Sequence, residues 1–147
     1  MFNRKNIFFF IIILFIAGCK KDEIVFPIEP KIEVVSITPA NAQQYVDPVT
    51  ITIHYEDGDG DLGENNDQIK NCFVTDNRIG ITYEYRIKQL APSGVSIPID
   101  GNLNINIGGQ TLTDSSSQQS FTYTLYIVDR AGHKSNSVTT GVLVIRR

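Results

Sequence analysis

Val49-Thr50-Ile51-Thr52-Ile53-His54-Tyr55-Glu56 places an apolar side chain at every odd position and a polar one at every even position. A period of two is the mark of an extended strand with one face buried and the other wet. The pattern recurs. Ile81, Tyr83, Tyr85 and Ile87 alternate with Thr82, Glu84, Arg86 and Lys88; Leu103, Ile105 and Ile107 alternate with Asn102, Asn104 and Asn106. Phe121, Tyr123, Leu125 and Ile127 alternate with Thr122, Thr124 and Tyr126. With Ile32 to Ile37, Asn71 to Val74 and Val138 to Ile145, this makes about seven short strands. Turn signals separate them at Thr38-Pro39, Asp47-Pro48, Ala91-Pro92-Ser93-Gly94, Gly108-Gly109 and the polar run Thr113 to Ser120. No stretch of ten residues carries a 3.6-residue period. The expected fold is all-β, an antiparallel β-sandwich.

The amino-terminal segment is excluded from that reading. Residues 7–17 form an unbroken apolar run after Arg4 and Lys5 and before Gly18-Cys19. Spanning a bilayer takes about 20 such residues, so the run suits a signal-peptide core better than a mature span. Cutting before Cys19 removes 18 of 147 residues, leaves 129, and moves the formal charge from −3 to −5 by losing Arg4 and Lys5. One domain of that size can bury a core. A multidomain enzyme and a multispan membrane protein are excluded, and without basic excess so is a protein that holds nucleic acid by phosphate neutralisation.

Ile16-Ala17-Gly18-Cys19 resembles the lipobox of bacterial lipoproteins. The resemblance implies cleavage before Cys19 and palmitate-type acyl chains on Cys19 that hold the protein to a membrane without embedding it; two or three chains hold firmly where one is marginal. Lys20-Lys21-Asp22-Glu23 is similar to the export signal of Bacteroidota-type surface lipoproteins, which implies an outer-membrane lipoprotein displayed at the cell surface, the periplasmic face of the outer membrane being the alternative. The implied organisation is residues 1–18 as signal peptide, 19–30 as lipidated terminus and tether with Pro27 and Pro30 favouring an extended spacer, and 31–147 as the folded domain. A lipidated Cys19 leaves Cys72 without a disulfide partner, and its apolar setting, Asn71-Cys72-Phe73-Val74, suits a small buried hydrophobe.

The closing segment Tyr126 to Val138, with Asp129-Arg130-Ala131-Gly132-His133, resembles the end of many bacterial Ig-like domains, with His133 where Asn is usual. It narrows the expected sandwich to the immunoglobulin or fibronectin type III style, although there is no Trp and no Cys pair to supply the antibody-type core. Gly132 is expected in a left-handed turn position.

One constellation carries chemistry. Glu56 to Asp67 holds six of the sixteen acidic residues and no Lys or Arg, so the rest of the mature chain sums to +1. Asp57, Asp59 and Asp61 alternate with glycines and can converge on one hard cation, and Ca²⁺ accepts six to eight oxygens with tolerant geometry. The run Asp57-Gly58-Asp59-Gly60-Asp61-Leu62-Gly63 also resembles calcium loops of Bacteroidota-type surface lipoproteins and shares its beginning with EF-hand loops. It departs from the EF-hand where Leu62 replaces the sixth-position Gly and Gln68 the twelfth-position Glu, and no helices flank it. The expected ligands are Asp57, Asp59 and Asp61, a carbonyl near Gly63, and Glu64 or Asp67 closing the shell, with Asp129 a further candidate if the topology brings it to the same edge.

Catalytic patterns are missing from the sequence: no Gly-x-Ser-x-Gly elbow, His-Glu-x-x-His pair or phosphate loop occurs, and His54 and His133 fall on a polar strand face and in a turn. The expected role is a non-catalytic binding or accessory module, ordered by Ca²⁺, that contacts a surface protein or a glycan. A glycan-binding lipoprotein of a nutrient-uptake system is the alternative, with Tyr126 or Tyr45 as its aromatic platform, and a small hydrolase stands behind it.

Overall fold

The computed structural model describes residues 26–147. The apolar run 7–17, Cys19 and the charged residues 20–23 lie outside the described residues.

The described residues are all-β, with ten strands in order: β1 (Lys31–Thr38), β2 (Asn41–Gln43), β3 (Pro48–Asp57), β4 (Cys72–Asp76), β5 (Ile81–Tyr85), β6 (Ile99–Gly109), β7 (Gln118–Phe121), β8 (Tyr123–Ile127), β9 (Val138–Thr139) and β10 (Leu143–Arg146). They pair as three sheets, β1-β3-β6, β2-β10-β7 and β5-β4-β8-β9, antiparallel throughout except for β2 with β10. No helix among the described residues is long and apolar enough to cross a membrane.

Each of the seven expected strands is found, but the number is ten, and the excess has physical causes. The run Phe121 to Ile127 changes partners at Thr122: Phe121 pairs with Leu143 of β10, while Tyr123 pairs with Asp76 of β4. The last run divides likewise into β9 and β10 on either side of residues 140–142. Strand β2 has a single apolar residue, Ala42, and owes its existence to a non-local parallel ladder with Val144 to Arg146, which no local period announces.

The central strand β3 is the best realised part of the sequence reading. Val49, Ile51 and Ile53 are fully buried and Tyr55 nearly so, and they join Ile32, Leu125, Ile127, Leu143 and Ile145 in one hydrophobic cluster fed by all three sheets. Burying a side chain of this kind stabilises by roughly 1.5–3 kcal/mol. Cys72 lies in the same cluster, and burial pushes its thiol up to about 12, so it is an inert hydrophobe. The alternation of β5 is present but uncovered: Ile81 is 50% exposed and Tyr83 42% exposed, because β5 is the outermost strand of its sheet.

Register fixes which loops meet. Asp57 ends β3 opposite Ile99, Lys31 at the start of β1 faces Glu56, and Cys72 faces Ile127. The amino-terminal entry of the domain, the acidic loop and the turn after β8 therefore converge on one end of the fold.

Candidate metal centre

Asp57 continues the parity of β3: it points inward like Val49, Ile51, Ile53 and Tyr55 and is fully buried. A carboxylate at the end of an apolar face must be paired or neutralised. One oxygen, Oδ2, accepts the Leu62 N–H at 2.8 Å. The other, Oδ1, is buried and accepts no hydrogen bond from the described residues, and the same holds for Asp59 Oδ1 and Asp61 Oδ1. A carboxylate oxygen from each of the three lies within 4.8 Å of the others.

The loop holds this arrangement from several sides. Leu62, the one apolar residue in the acidic run, is fully buried in the core cluster and receives the Leu90 N–H on its carbonyl at 3.2 Å. The Asp59 carbonyl accepts the Ile97 N–H at 3.3 Å and the Asp61 carbonyl the Arg130 N–H at 3.3 Å. From the turn after β8, Ala131 N–H donates to Asp61 Oδ2 at 2.9 Å and Arg130 Nη1 to the Gly63 carbonyl at 2.9 Å. On the third side Gly58 N–H donates to the Pro27 carbonyl at 2.8 Å.

The other expected ligands are placed differently. Glu64 Oε1 accepts the Asn66 N–H and closes a local turn, while Asp67 Oδ1 accepts the side-chain amide of the adjacent Gln68. The Gly63 carbonyl is taken by Arg130. Asp129 does reach this end of the fold, but its oxygens accept the His133 N–H at 2.7 Å and face His133 Nδ1 at 2.9 Å. Its part is to fix the turn, in which Gly132 adopts the expected left-handed conformation at φ 91°. The binding platforms also differ. Tyr126 stacks on Phe73 at 4.9 Å and carries the Lys134 ammonium 3.6 Å from its ring, while Tyr45 stands 74% exposed with a φ of 62°. Sequence reading missed two buried polar supports, Asn71, which holds both the N–H and the carbonyl of Ile87, and Asp76, which pairs with Arg78.

Electrostatics point the same way as geometry. Two unit charges 4.8 Å apart at an effective dielectric of about 20 repel by roughly 3–4 kcal/mol, more than one hydrogen bond returns. Burial, with Asp59 and Asp61 adding, outweighs the Leu62 amide and pushes Asp57 up to about 6. Burial foremost, then Asp129 and Asp59, also raises Asp61 against the opposing Ala131 amide and Arg130. The hydrogen bond to Asp129 foremost, then its charge, raises His133.

These shifts set an expected pH dependence. The folded Asp57 holds a proton more tightly than an unfolded carboxyl of pKa 3.8, so its contribution to stability grows as pH falls through about 6. His133, raised above 6.5, likewise stabilises the fold below the unfolded value and loses that contribution as pH rises. In EDTA the melting temperature should therefore rise between pH 7 and pH 5; a cation bound at the three carboxylates would compete with protons and cancel or reverse that rise. A melting temperature that falls on acidification in EDTA would contradict this account of the site.

Comparison with known proteins adds nothing further: no family model, no curated protein and no solved structure matches the chain.

Proposed function

We propose that the chain is a lipid-anchored outer-membrane lipoprotein, displayed at the cell surface, whose Ig-like β-sandwich is ordered by Ca²⁺ and acts as a non-catalytic binding or accessory module. The observation that carries the cation is the triad of buried carboxylate oxygens on Asp57, Asp59 and Asp61 that accept no hydrogen bond from the described residues. Oxygen-only donors of high charge suit a hard cation, and Ca²⁺ tolerates a shell completed by water or main-chain oxygen. Weak extracellular sites, at ~10⁻⁴ to 10⁻³ M, are filled outside the cell. The strand order supports the Ig-like reading: β1-β3-β6 corresponds to strands A, B and E, and β4 with β8 and the β7–β10 pair to C, F and G, with β5 added beside C. The anchor rests on the lipobox-like residues around Cys19.

Two measurements test the proposal. Terbium luminescence on the purified domain should be sensitised by Tyr55, which precedes Asp57 by two residues, and should be displaced by Ca²⁺. On cells, Cys19→Ala should abolish incorporation of labelled palmitate into the protein, and protease added to intact cells should remove the wild type. A wild type that takes up no palmitate, or full protection from protease, would overturn the anchor or its outward orientation respectively.

A further inference from the structure

The acidic loop does more than gather carboxylates, for it also grips the chain that enters the domain. Gly58, between Asp57 and Asp59, donates its N–H to the Pro27 carbonyl at 2.8 Å. The approach is so close that a Cβ on Gly58 would lie 2.3 Å from the Phe26 carbonyl oxygen and 2.7 Å from that of Pro27. Beyond this point Phe26 is half-buried, Glu29 lies near enough to His133 to raise it, and Pro30 is buried. The next fastening is at Ile32, whose N–H and carbonyl are both held by the Asn136 side chain at 2.8 and 2.9 Å. The Pro27 grip is thus the outermost fastening among the described residues, and its donor sits between two members of the carboxylate triad.

We propose that a divalent cation on Asp57, Asp59 and Asp61 fastens the segment Phe26–Pro27 to the acidic loop, so that cation occupancy sets the point at which the chain leading from Cys19 joins the domain. This rests on the cation reading above and names what that site regulates. Charge repulsion within the cation-free triad spreads the loop and moves the Gly58 N–H away from Pro27; the cation draws the loop together and restores it. With Phe26 fastened, seven residue-to-residue steps lead from Cys19 to the domain; with the grip released back to Ile32, thirteen do. At up to ~3.5 Å per residue the reach changes from about 25 Å to about 45 Å. A domain tethered at Cys19 is drawn close by the cation and let out without it. Because linkage is reciprocal, the docked segment must in turn raise affinity for the cation.

The test uses residues 19–147 with Cys19→Ser and a spin label on Ile28→Cys, a half-exposed position; Cys72 is fully buried and unreactive. Calcium should convert a mobile spectrum to an immobilised one, with the midpoint matching Ca²⁺ binding measured by calorimetry. Removing residues 19–28 should weaken Ca²⁺ binding about fivefold or more. Gly58→Ala, which keeps all three carboxylates, should weaken it by the same factor in the longer chain and leave it unchanged in the shortened one. Calcium binding with an unchanged label spectrum and no loss on shortening would overturn the fastening while the cation site stands. Failure of Ca²⁺ to bind the intact chain would overturn both.

Discussion

Asp57→Asn is expected to abolish the response of the domain to Ca²⁺. For the wild type at about 2 mM Ca²⁺ and a site of ~10⁻⁴ M, linkage stabilises the folded state by roughly 1.8 kcal/mol over EDTA. In a domain of this size that corresponds to about 5–10 °C in melting temperature. The variant loses one of three charged ligands, so the gap should close. Its EDTA form should melt at or above the wild-type EDTA form. The amide oxygen can still accept the Leu62 N–H, and its NH₂ then occupies the place of Oδ1 and donates to the Asp59 and Asp61 carboxylates, which now face two charges where there were three. Scanning calorimetry of both proteins in Ca²⁺ and in EDTA gives all four numbers. A wild type that melts identically in the two buffers would remove the basis for the site.

The second large effect concerns a glycine of the same loop. Gly63 has φ +89°, and a Cβ there would lie 2.2 Å from the Lys88 carbonyl oxygen and 2.7 Å from its carbon, both backbone atoms that cannot swing aside. Gly80 has φ +68° and nothing within 4 Å. Gly80→Ala therefore measures the left-handed conformation alone, about 1–2 kcal/mol. Gly63→Ala adds displacement of the segment that carries Ile87 and Leu90, and should cost about 3–5 kcal/mol, a large part of the 5–15 kcal/mol that holds a typical domain together. Urea denaturation would read the two costs directly, with unchanged slope if the denatured state is unaffected. Equal costs would mean that the acidic loop does not press on the 87–90 segment as described.

How far the sequence discloses this depends on whether a feature is local. The inward face of β3 is written in the alternation from Val49 to Tyr55. The same parity already assigns Asp57 to the core, but a carboxylate on an apolar face reads as the start of a loop, so the apolar alternation by itself ends at Tyr55. Alternation also cannot say whether a face is covered: Ile81 and Tyr83 obey the rule on an edge strand and remain half exposed. The triad itself was legible because Asp-x-Asp-x-Asp is a local pattern. Its surroundings were not, since Arg130 and Ala131 reach it from about 70 positions along the chain. Asp129 shows the limit most plainly. Register brings it to the right end of the fold, yet His133, four residues on, takes both of its oxygens. Leu62 carried a signal that could have been used, as a lone apolar residue amid acids is an anchor point for a loop that must lie against a core.

The parallel pairing of β2 with β10 has a mechanical consequence. Strand β1 leads away from the acidic end, β2 continues beyond it, and β10 runs in the same direction alongside β2. A load applied between Phe26 and Arg147 pulls β2 one way and β10 the other along their common axis. The bonds joining Asn41–Gln43 to Val144–Arg146, flanked by Val144 N–H to the Ala40 carbonyl at 2.8 Å and Gln44 N–H to the Arg146 carbonyl at 2.7 Å, are then strained together in shear instead of peeling one at a time. Three residues of ladder that contribute little to a folding equilibrium thus stand where they resist stretching of the domain along its length.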